Sequence, residues 1–205
     1  VIALNSGTAA LHLALAAHGI SSGDKFIVPT YTFVASVEVG EYLSAEPILV
    51  DSEEDTFNLD LNQAEEILSK DIHGQIKAII PVHFGGLSCN IREIKKIARK
   101  HNLKIIEDCA HAFGTFENNK HVGTFGNTGC FSFYPTKNIT SIEGGMVITN
   151  SKKIAKSIIS SRNHGLTKSL KNRFSKWKPW AYDVIEPGYN YRLDEIRSAL
   201  GYSQA

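Results

Sequence analysis

The chain has 205 residues, enough for one large domain or two small ones, and its hydrophobic share of 42% is ordinary for a soluble globular protein. Its 22 Lys and Arg residues balance 21 Asp and Glu residues to a formal charge of +1, which excludes a strong overall field for nucleic acid or an anionic membrane. The three cysteines, Cys89, Cys109 and Cys130, form no CxxC pair, which argues against a disulfide framework or a zinc ribbon and favours the reducing cytoplasm.

The first residues, VIALNSGTAAL, open on a hydrophobic run without an initiator methionine, as the inside of a strand would, and they indicate a fragment of a longer protein. The next segment, 8–18, is apolar almost all round, which predicts a helix buried between a sheet and a further layer, with Thr8 as its N-cap. No segment approaches the roughly 18 apolar residues of a membrane span, and the N-terminus lacks the pattern of a signal peptide.

Short β-rich runs then alternate with helical patterns. This alternation predicts an α/β fold with a mainly parallel sheet and crossover helices on both of its faces. The clearest helix is 90–101, where Ile91, Ile94 and Ile97 share an apolar face opposite a charged one. The predicted strands are 25–28, 47–51, 76–82 and 103–108.

The pattern changes beyond residue 150. The sequence there predicts a helix at 151–162, an irregular basic and aromatic stretch at 163–188, and a final helical segment from about residue 191. No internal repeat and no low-complexity linker interrupts the chain.

Ligands of parallel α/β sheets bind where strands end and loops begin. Four loops at such positions carry unusual chemistry, and we expect them to surround one site. They are NSGTA (5–9), PTYTF (29–33), EDCAHAFG (107–114) and FSFYPTK (131–137).

Two of these loops have simple structural alternatives. The first places Gly7 and Thr8 at a helix N-terminus, where backbone N–H groups and a hydroxyl can bind a phosphate, but the same pattern suits a plain capped helix. It lacks the spacing of Walker and dinucleotide motifs. In the third loop, Asp108 faces a ligand at a strand end or caps a following helix, and His111 contacts a ligand or is a packed histidine.

A metal site is not favoured. Three histidines and two cysteines are candidate ligands, but no pair has the close spacing of a structural zinc site. A nucleophilic pair of Cys109 and His111 ranks below the metal site. The candidate ligands are His83, His111, His121, Cys89 and Cys109.

Lys137 is the most informative residue of the fourth loop. An amine that forms an imine must be partly neutral, and burial in an apolar pocket lowers its pKa. Phe131, Phe133 and Tyr134 supply apolar neighbours, and Ser132 supplies a hydroxyl that can reach a phosphate. The alternative is a solvated lysine after a strand.

Together these motifs closely resemble the DegT/StrS-type nucleotide-sugar aminotransferases. The resemblance covers essentially all 205 residues, in the same order and spacing. It implies a type I aminotransferase-like fold, of which residues 1–205 are the pyridoxal phosphate-binding large domain, without an N-terminal lead-in and a C-terminal small domain. The matching motifs are NSGTAALHLAL, PTYTFVAS, EDCAHAFG, VGTFGNTGCFSFYPTKN, EGGMVITN, RNHGL and GYNYRLDEIRSALGYSQ.

The resemblance also implies roles for single residues. Lys137 resembles the catalytic lysine that holds pyridoxal 5'-phosphate as a Schiff base, and Asp108 the carboxylate that pairs with its pyridine nitrogen. His111 resembles the partner of the phenolic oxygen, and Phe33 the aromatic ring that stacks on the pyridine face. The phosphate positions are Gly7, Thr8, Ser132 and the backbone of Ala9. Asn190, with Arg192 as its rival, resembles the residue that reaches the phosphate in the partner subunit's site, so the resemblance implies a homodimer with shared sites.

The implied activity is transfer of an amino group from an amino acid, usually L-glutamate, to a keto sugar attached to a nucleotide diphosphate. This transaminase chemistry belongs to amino sugar and polysaccharide biosynthesis. Two alternatives stay open: a pyridoxal phosphate-dependent sugar dehydratase, in which histidine replaces the lysine, and a non-catalytic regulatory relative. One position departs from the family, because Ile142 stands where many relatives have glycine, and this β-branched residue predicts a slightly different turn.

Overall fold

The protein is described here from a computed structural model that covers residues 1–166 and 182–205. Helices and strands alternate along most of this part of the chain, and a short 3-10 turn lies at Phe84–Gly86. In chain order the elements are β1 (Ile2–Leu4), α1 (Gly7–Ala17), β2 (Lys25–Pro29), α2 (Ala35–Glu41), β3 (Glu46–Val50), α3 (Leu61–Ser69), β4 (Ile76–Ile79), α4 (Ile91–His101), β5 (Lys104–Asp108), β6 (Phe116–Glu117), β7 (Lys120–His121), β8 (Thr128–Ser132), β9 (Gly145–Ile148), α5 (Lys152–Ser161) and α6 (Glu195–Tyr202).

Seven strands form one sheet in the order β1-β9-β8-β5-β4-β2-β3, and β6 pairs with β7 in a separate hairpin. Neighbouring strands of the large sheet are parallel, except that β9 runs antiparallel to both β1 and β8. The prediction of a mainly parallel sheet is therefore confirmed. All four predicted strands are present, with β4 ending three residues earlier than predicted.

Helices cover the sheet on both faces because successive strand residues point to opposite sides. Phe26 and Val28 of β2 pack in the cluster that contains α1, α2 and α5, whereas Ile27 packs in the cluster with α3 and α4. Helix α1 is the central element of its layer, and every residue from position 9 to 15 is buried. The prediction of a helix buried nearly all round is confirmed.

Two helix starts differ from the prediction. The N-cap of α1 is Ser6, not Thr8, because Ser6 has the extended backbone of a cap and its Oγ accepts the N–H of Ala9 at 3.0 Å, while Thr8 already lies inside the helix. The last helix, α6, begins at Glu195 rather than near residue 191. The preceding segment stays extended because Tyr189 and Tyr191 donate backbone hydrogen bonds across to residues 161 and 162.

The basic and aromatic stretch predicted at 163–188 falls mostly outside the described residues, since 167–181 are not covered. Among the helices in the described ranges, none combines the length and apolar character needed to cross a bilayer.

Candidate active site

The ends of β2, β5 and β8 and the start of α1 surround a cavity of about 430 Å³. Seven of the ten predicted site residues line it, so the four loops do converge. Ala9, Asn190 and Arg192 are not among its lining residues. Those that line it are Gly7, Thr8, Phe33, Asp108, His111, Ser132 and Lys137.

One end of the cavity is a cradle between the N-terminus of α1 and the end of β8. A Cβ atom on Gly7 would lie 2.8 Å from Cβ of Ser132, and one on Gly145 would lie 2.0 Å from the carbonyl oxygen of Ser6. Glycine at both positions therefore lets the helix start approach the strand end closely. Helix N-termini favour anions, and Thr8 and Ser132 add hydroxyls, so the cradle fits a phosphate group. The backbone N–H of Ala9 is already donated to the cap, Ser6.

Asp108 lies at the end of β5 and is only 4% exposed. Its Oδ2 accepts a hydrogen bond from Ser36 Oγ at 2.7 Å, and its Oδ1 accepts the N–H of Ala110 at 3.0 Å. Among the described residues, no cation lies within ion-pair distance of this carboxylate. A buried carboxylate without a cation is costly, so the site fits a ligand that brings a protonated ring nitrogen.

The alternative role of Asp108 as a helix cap is wrong. Residues 109–115 form turns, and the hydrogen bond from Ala110 belongs to such a turn rather than to a helix start. The backbone on both sides of the carboxylate is held as well: Asp108 donates its N–H to Pro81, and its carbonyl accepts the N–H of His83.

Lys137 lies on the loop after β8 and faces the same cavity as Asp108. Burial lowers the pKa of its amine, and the negative charge of Asp108 opposes that shift. The pKa of His111 is lowered by burial and by the charge of Lys137, and Asp108 again opposes the shift. The lowered pKa increases the neutral fraction of the amine, which is its nucleophilic form.

Phe33 and His111 lie on the strand-end loops of the cavity. Phe33 is 71% exposed, so one face of its ring is free to cover a flat ligand ring. The ring of His111 packs edge-on against Phe84 with centroids 5.8 Å apart, which fixes its plane beside the cavity.

The lysine loop, defined here as residues 133–143, turns through Ile142 in the left-handed region, with φ of 69°. We expected isoleucine to change the turn at this position. Instead the backbone keeps the left-handed conformation that favours glycine, and Ile142 is strained. Thr140 Oγ1 accepts the N–H of Ile142 at 2.9 Å, and the side-chain amide of Gln204 pairs with both backbone polar groups of Thr140 at 3.0 Å.

Two of the side chains considered as metal ligands at the outset, His83 and Cys109, form a buried group with Glu107, and the ligand atoms of this group lie within 4.8 Å of one another. His83 and Glu107 are both already hydrogen-bonded. His83 Nδ1 accepts the N–H of Cys89, so its Nε2 donates to Glu107 at 3.1 Å. Glu107 also accepts the backbone N–H groups of residues 123, 125 and 126. Burial raises the pKa of the Cys109 thiol far above its usual range. These bonds account for the group as a structural one.

The segment 189–192 contributes no residue to the cavity lining. Asn190 accepts a hydrogen bond from the side chain of Asn5 through its carbonyl oxygen, and Arg192 Nη1 donates to Asn163 Oδ1 at 2.7 Å. Burial lowers the pKa of the Arg162 guanidinium, and the nearby charge of Arg192 lowers it further.

The cavity residues that sequence reasoning missed include two hydroxyl residues, Thr32 and Ser36, and a carboxylate, Glu143. Thr32 and Ser36 are four residues apart, and their side-chain oxygens lie 2.9 Å from each other. The motif PTYTFVAS contains both, but only the fold shows that Ser36 faces Asp108, which lies 72 positions further along the chain.

Residues 1–205 match the sequence pattern of the DegT/DnrJ/EryC1/StrS aminotransferase family. The chain belongs to this family. It is 42% identical over 201 residues to GDP-perosamine synthase of Escherichia coli O157:H7, covering 98% of this chain and 51% of that protein. It is 40% identical over 196 residues to a UDP-N-acetyl-3-dehydro-alpha-D-glucosamine 3-aminotransferase of Acidithiobacillus ferrooxidans, covering 95% and 49%.

Solved structures share the fold of this family member. A Streptococcus pneumoniae protein named as a candidate sugar aminotransferase, in its PMP-form, matches with a TM-score of 0.90 and 29% identity over 99% of this chain and 55% of that one. The Helicobacter pylori aminotransferase of pseudoaminic acid biosynthesis matches with a TM-score of 0.84 and 32% identity, covering 98% and 52%. The predicted type I aminotransferase-like fold is confirmed. The chain spans about half the length of the relatives it matches.

Proposed function

We propose that the protein transfers an amino group from an amino acid, with L-glutamate as the expected donor, to a keto sugar carried on a nucleotide diphosphate, using pyridoxal 5'-phosphate. The observation that carries this proposal is the single cavity that combines a phosphate cradle, the buried carboxylate of Asp108 and the amine of Lys137. Relatives at 40 to 42% identity are named for amino sugar formation on GDP- and UDP-linked substrates.

The bound cofactor supplies an aldehyde carbon that takes up an amine and a ring that accepts an electron pair. In our proposal the cradle of Gly7, Thr8 and Ser132 holds its phosphate. Asp108 keeps the proton on the ring nitrogen, because a buried carboxylate stabilises a cation beside it. His111 binds the phenolic oxygen.

Phe33 covers one face of the ring and excludes water from it. Lys137 then has two tasks. Its neutral amine would hold the cofactor covalently, and as a free amine it would take up and deliver the proton that leaves the donor's α-carbon. The lowered pKa of its amine suits both tasks.

Lysine at position 137 favours amine transfer over the sugar dehydratase alternative, in which histidine occupies that place. The regulatory alternative needs no bound cofactor. We therefore expect the full chain, incubated with pyridoxal 5'-phosphate and treated with borohydride, to gain the mass of one reduced cofactor on the peptide that contains Lys137. A chain that gains no mass there would rule out the proposed function.

The second half of the test measures turnover. The full chain is supplied with L-glutamate and each of the GDP-, UDP- and dTDP-linked 4-keto-6-deoxyhexoses, and 2-oxoglutarate is measured together with the aminated sugar. Formation of both products in equal amounts is expected for at least one sugar. Sugar deoxygenation without 2-oxoglutarate would favour the dehydratase instead.

We further propose a homodimer, located in the cytoplasm, in which Asn190 or Arg192 completes the phosphate site of the partner. In the described part of the chain, Arg162 and Arg192 form no ion pair with a carboxylate, so they remain suited to a phosphate.

Mixing inactive variants tests this sharing. Full chains with Lys137→Ala, and with both Asn190→Ala and Arg192→Ala, should each be nearly inactive. A mixed dimer has one site with both defects and one intact site, so exchange should restore up to about half the activity of a native dimer. Mixed dimers without activity would show that the site is not shared.

A further inference from the structure

Two hydroxyl groups form a chain behind the carboxylate of Asp108. Ser36 is 1% exposed, and its Oγ lies 2.7 Å from Asp108 Oδ2. Thr32 lines the cavity, and its Oγ1 lies 2.9 Å from Oγ of Ser36. The three side chains thus connect the cavity wall to the buried acid through two short hydrogen bonds.

The direction of these hydrogen bonds follows from the number of protons. An ionised carboxylate only accepts, so Ser36 must donate its single proton to Asp108. Ser36 then has no proton left for Thr32, and Thr32 must donate to Ser36. Both hydroxyl dipoles therefore point towards the carboxylate, while the N–H of Ala110 donates to its other oxygen.

This arrangement stabilises the negative charge of the carboxylate, because both of its oxygens accept a hydrogen bond from a fixed donor. It also leaves acceptor capacity on the carboxylate, since each oxygen has two lone pairs and only one bond of this kind. The carboxylate of Asp108 can therefore accept a further hydrogen bond from a donor in the cavity.

We propose that Ser36, supported by Thr32, is a positioning residue that stabilises the negative charge of Asp108 and orients its carboxylate towards a protonated ring nitrogen of the cofactor. This inference rests on the proposed function, because it assumes that pyridoxal 5'-phosphate binds in the cavity. Ser36 acts through the oxygen of Asp108 that it contacts.

The test compares two probes in the full chain: pyridoxal 5'-phosphate and its 1-deaza analogue, in which carbon replaces the ring nitrogen. Binding of each is measured by titration of absorbance and protein fluorescence. Ser36→Ala should weaken binding of the natural cofactor roughly tenfold, the loss typical of one hydrogen bond to a charged group. It should change binding of the analogue by less than about twofold, because the analogue has no ring proton for Asp108 to hold.

Thr32→Val is a second variant of nearly the same shape that removes only the outer hydroxyl. It should weaken binding of the natural cofactor by about threefold, since the remaining hydrogen bond loses its polarisation. In an Asp108→Asn background, Ser36→Ala should have no further effect on either probe, because the group through which it acts is gone.

The matched control is Thr128→Val. Thr128 is as deeply buried as Ser36, at 1% exposure, but its hydroxyl has no hydrogen-bond partner in the described structure. Its replacement should leave binding of both probes unchanged. Thermal unfolding of the cofactor-free variants shows which of them are folded, and Thr32→Val carries the test if Ser36→Ala is not.

Three results would overturn the inference: equal weakening of both probes, which indicates loss of packing; no weakening of the natural cofactor; or an unchanged effect of Ser36→Ala beside Asp108→Asn. Failure of the wild-type chain to bind pyridoxal 5'-phosphate at all would instead overturn the proposed function. The two failures are therefore distinguished by the wild-type titration.

Discussion

Asp108 and Lys137 face the same cavity, but the fold holds them differently. The carboxylate is 4% exposed, is reached by two hydrogen-bond donors and stands on a strand that has neighbours on both sides. The amine is half-buried on the lysine loop, and within the described ranges its Nζ has no hydrogen bond or ion pair.

This difference matches the two kinds of work that the proposed reaction needs. A group that stabilises charge acts best when it is fixed in advance, because it then needs no reorganisation during the reaction. A group that forms and releases a covalent bond and carries a proton must move between two positions. The position of Asp108 at the end of β5 suits the first task, and the position of Lys137 on the loop after β8 suits the second.

Lys137→Ala should have the largest effect, because it removes the nucleophile and the proton carrier together. We expect turnover in the full chain to become undetectable, and thermal unfolding to change little, since the half-buried amine makes few bonds. Lys153→Ala is the matched control, as that lysine is exposed on α5. Turnover of the Lys137 variant near the native value would contradict its role.

Asp108→Asn should have the next largest effect. The amide keeps nearly the same shape but cannot hold a proton on the ring nitrogen, so the cofactor should still bind while turnover falls on the order of 10²-fold or more. The measurement is turnover at saturating cofactor and substrates. An unchanged turnover number would mean that the buried acid serves only the local turn.

Much of the fold could be predicted from sequence because its signals are local. The runs 25–28 and 103–108 are apolar and bounded by turns, and the helix 90–101 has a clear period, so β2, β5 and α4 lie close to the predicted bounds. Strand β1 has only three residues and pairs with the late strand β9, so its partner is set by contacts over 140 positions away.

The candidate site was predictable as a set of loops, because parallel strands all end at the same edge of a sheet. The contacts between its residues were not. Ser36 follows an exposed loop and looks like one more helix residue; only the fold brings the start of α2 to the acid at the end of β5. The N-cap at Ser6 was misassigned because Ser and Thr in NSGT are both good caps, and backbone angles decide between them.

Glu107→Gln tests how far the end of β5 depends on the buried carboxylate of Glu107, the residue before Asp108. Glu107 accepts four hydrogen bonds, and an amide would turn two donor hydrogens towards N–H groups. We expect the free energy of unfolding, measured with denaturant, to fall by about 3 kcal/mol. Glu93→Gln, in an exposed pair with Lys96, should change it by less than about 1 kcal/mol. Equal effects of both changes would contradict the structural role.

Ile142 tests the lysine loop in the opposite direction, since replacement there should stabilise. Ile142→Asn gives a residue that accepts the left-handed backbone and should raise the free energy of unfolding by about 1 kcal/mol. The isoleucine is 57% exposed, so little buried area is lost. Ile142→Ala, which keeps the backbone penalty, is the control and should give no such gain. Equal stability of the Asn and Ala variants would show that the turn is not strained.

The smallest effect should appear in the electrostatic coupling between Asp108 and Lys137. Burial lowers the pKa of Lys137, and the charge of Asp108 raises it. Asp108→Asn removes only the raising influence, so the pKa of Lys137 should fall further below its usual value. In cofactor-free protein, the rate at which trace acetic anhydride labels Lys137 follows the neutral amine, and its midpoint should therefore move to lower pH. Glu143→Gln is the control, because Glu143 lines the same cavity without contributing to the pKa shift of Lys137. A midpoint that stays in place or rises in the Asp108 variant would mean that the charge of Asp108 does not raise the pKa of the amine of Lys137.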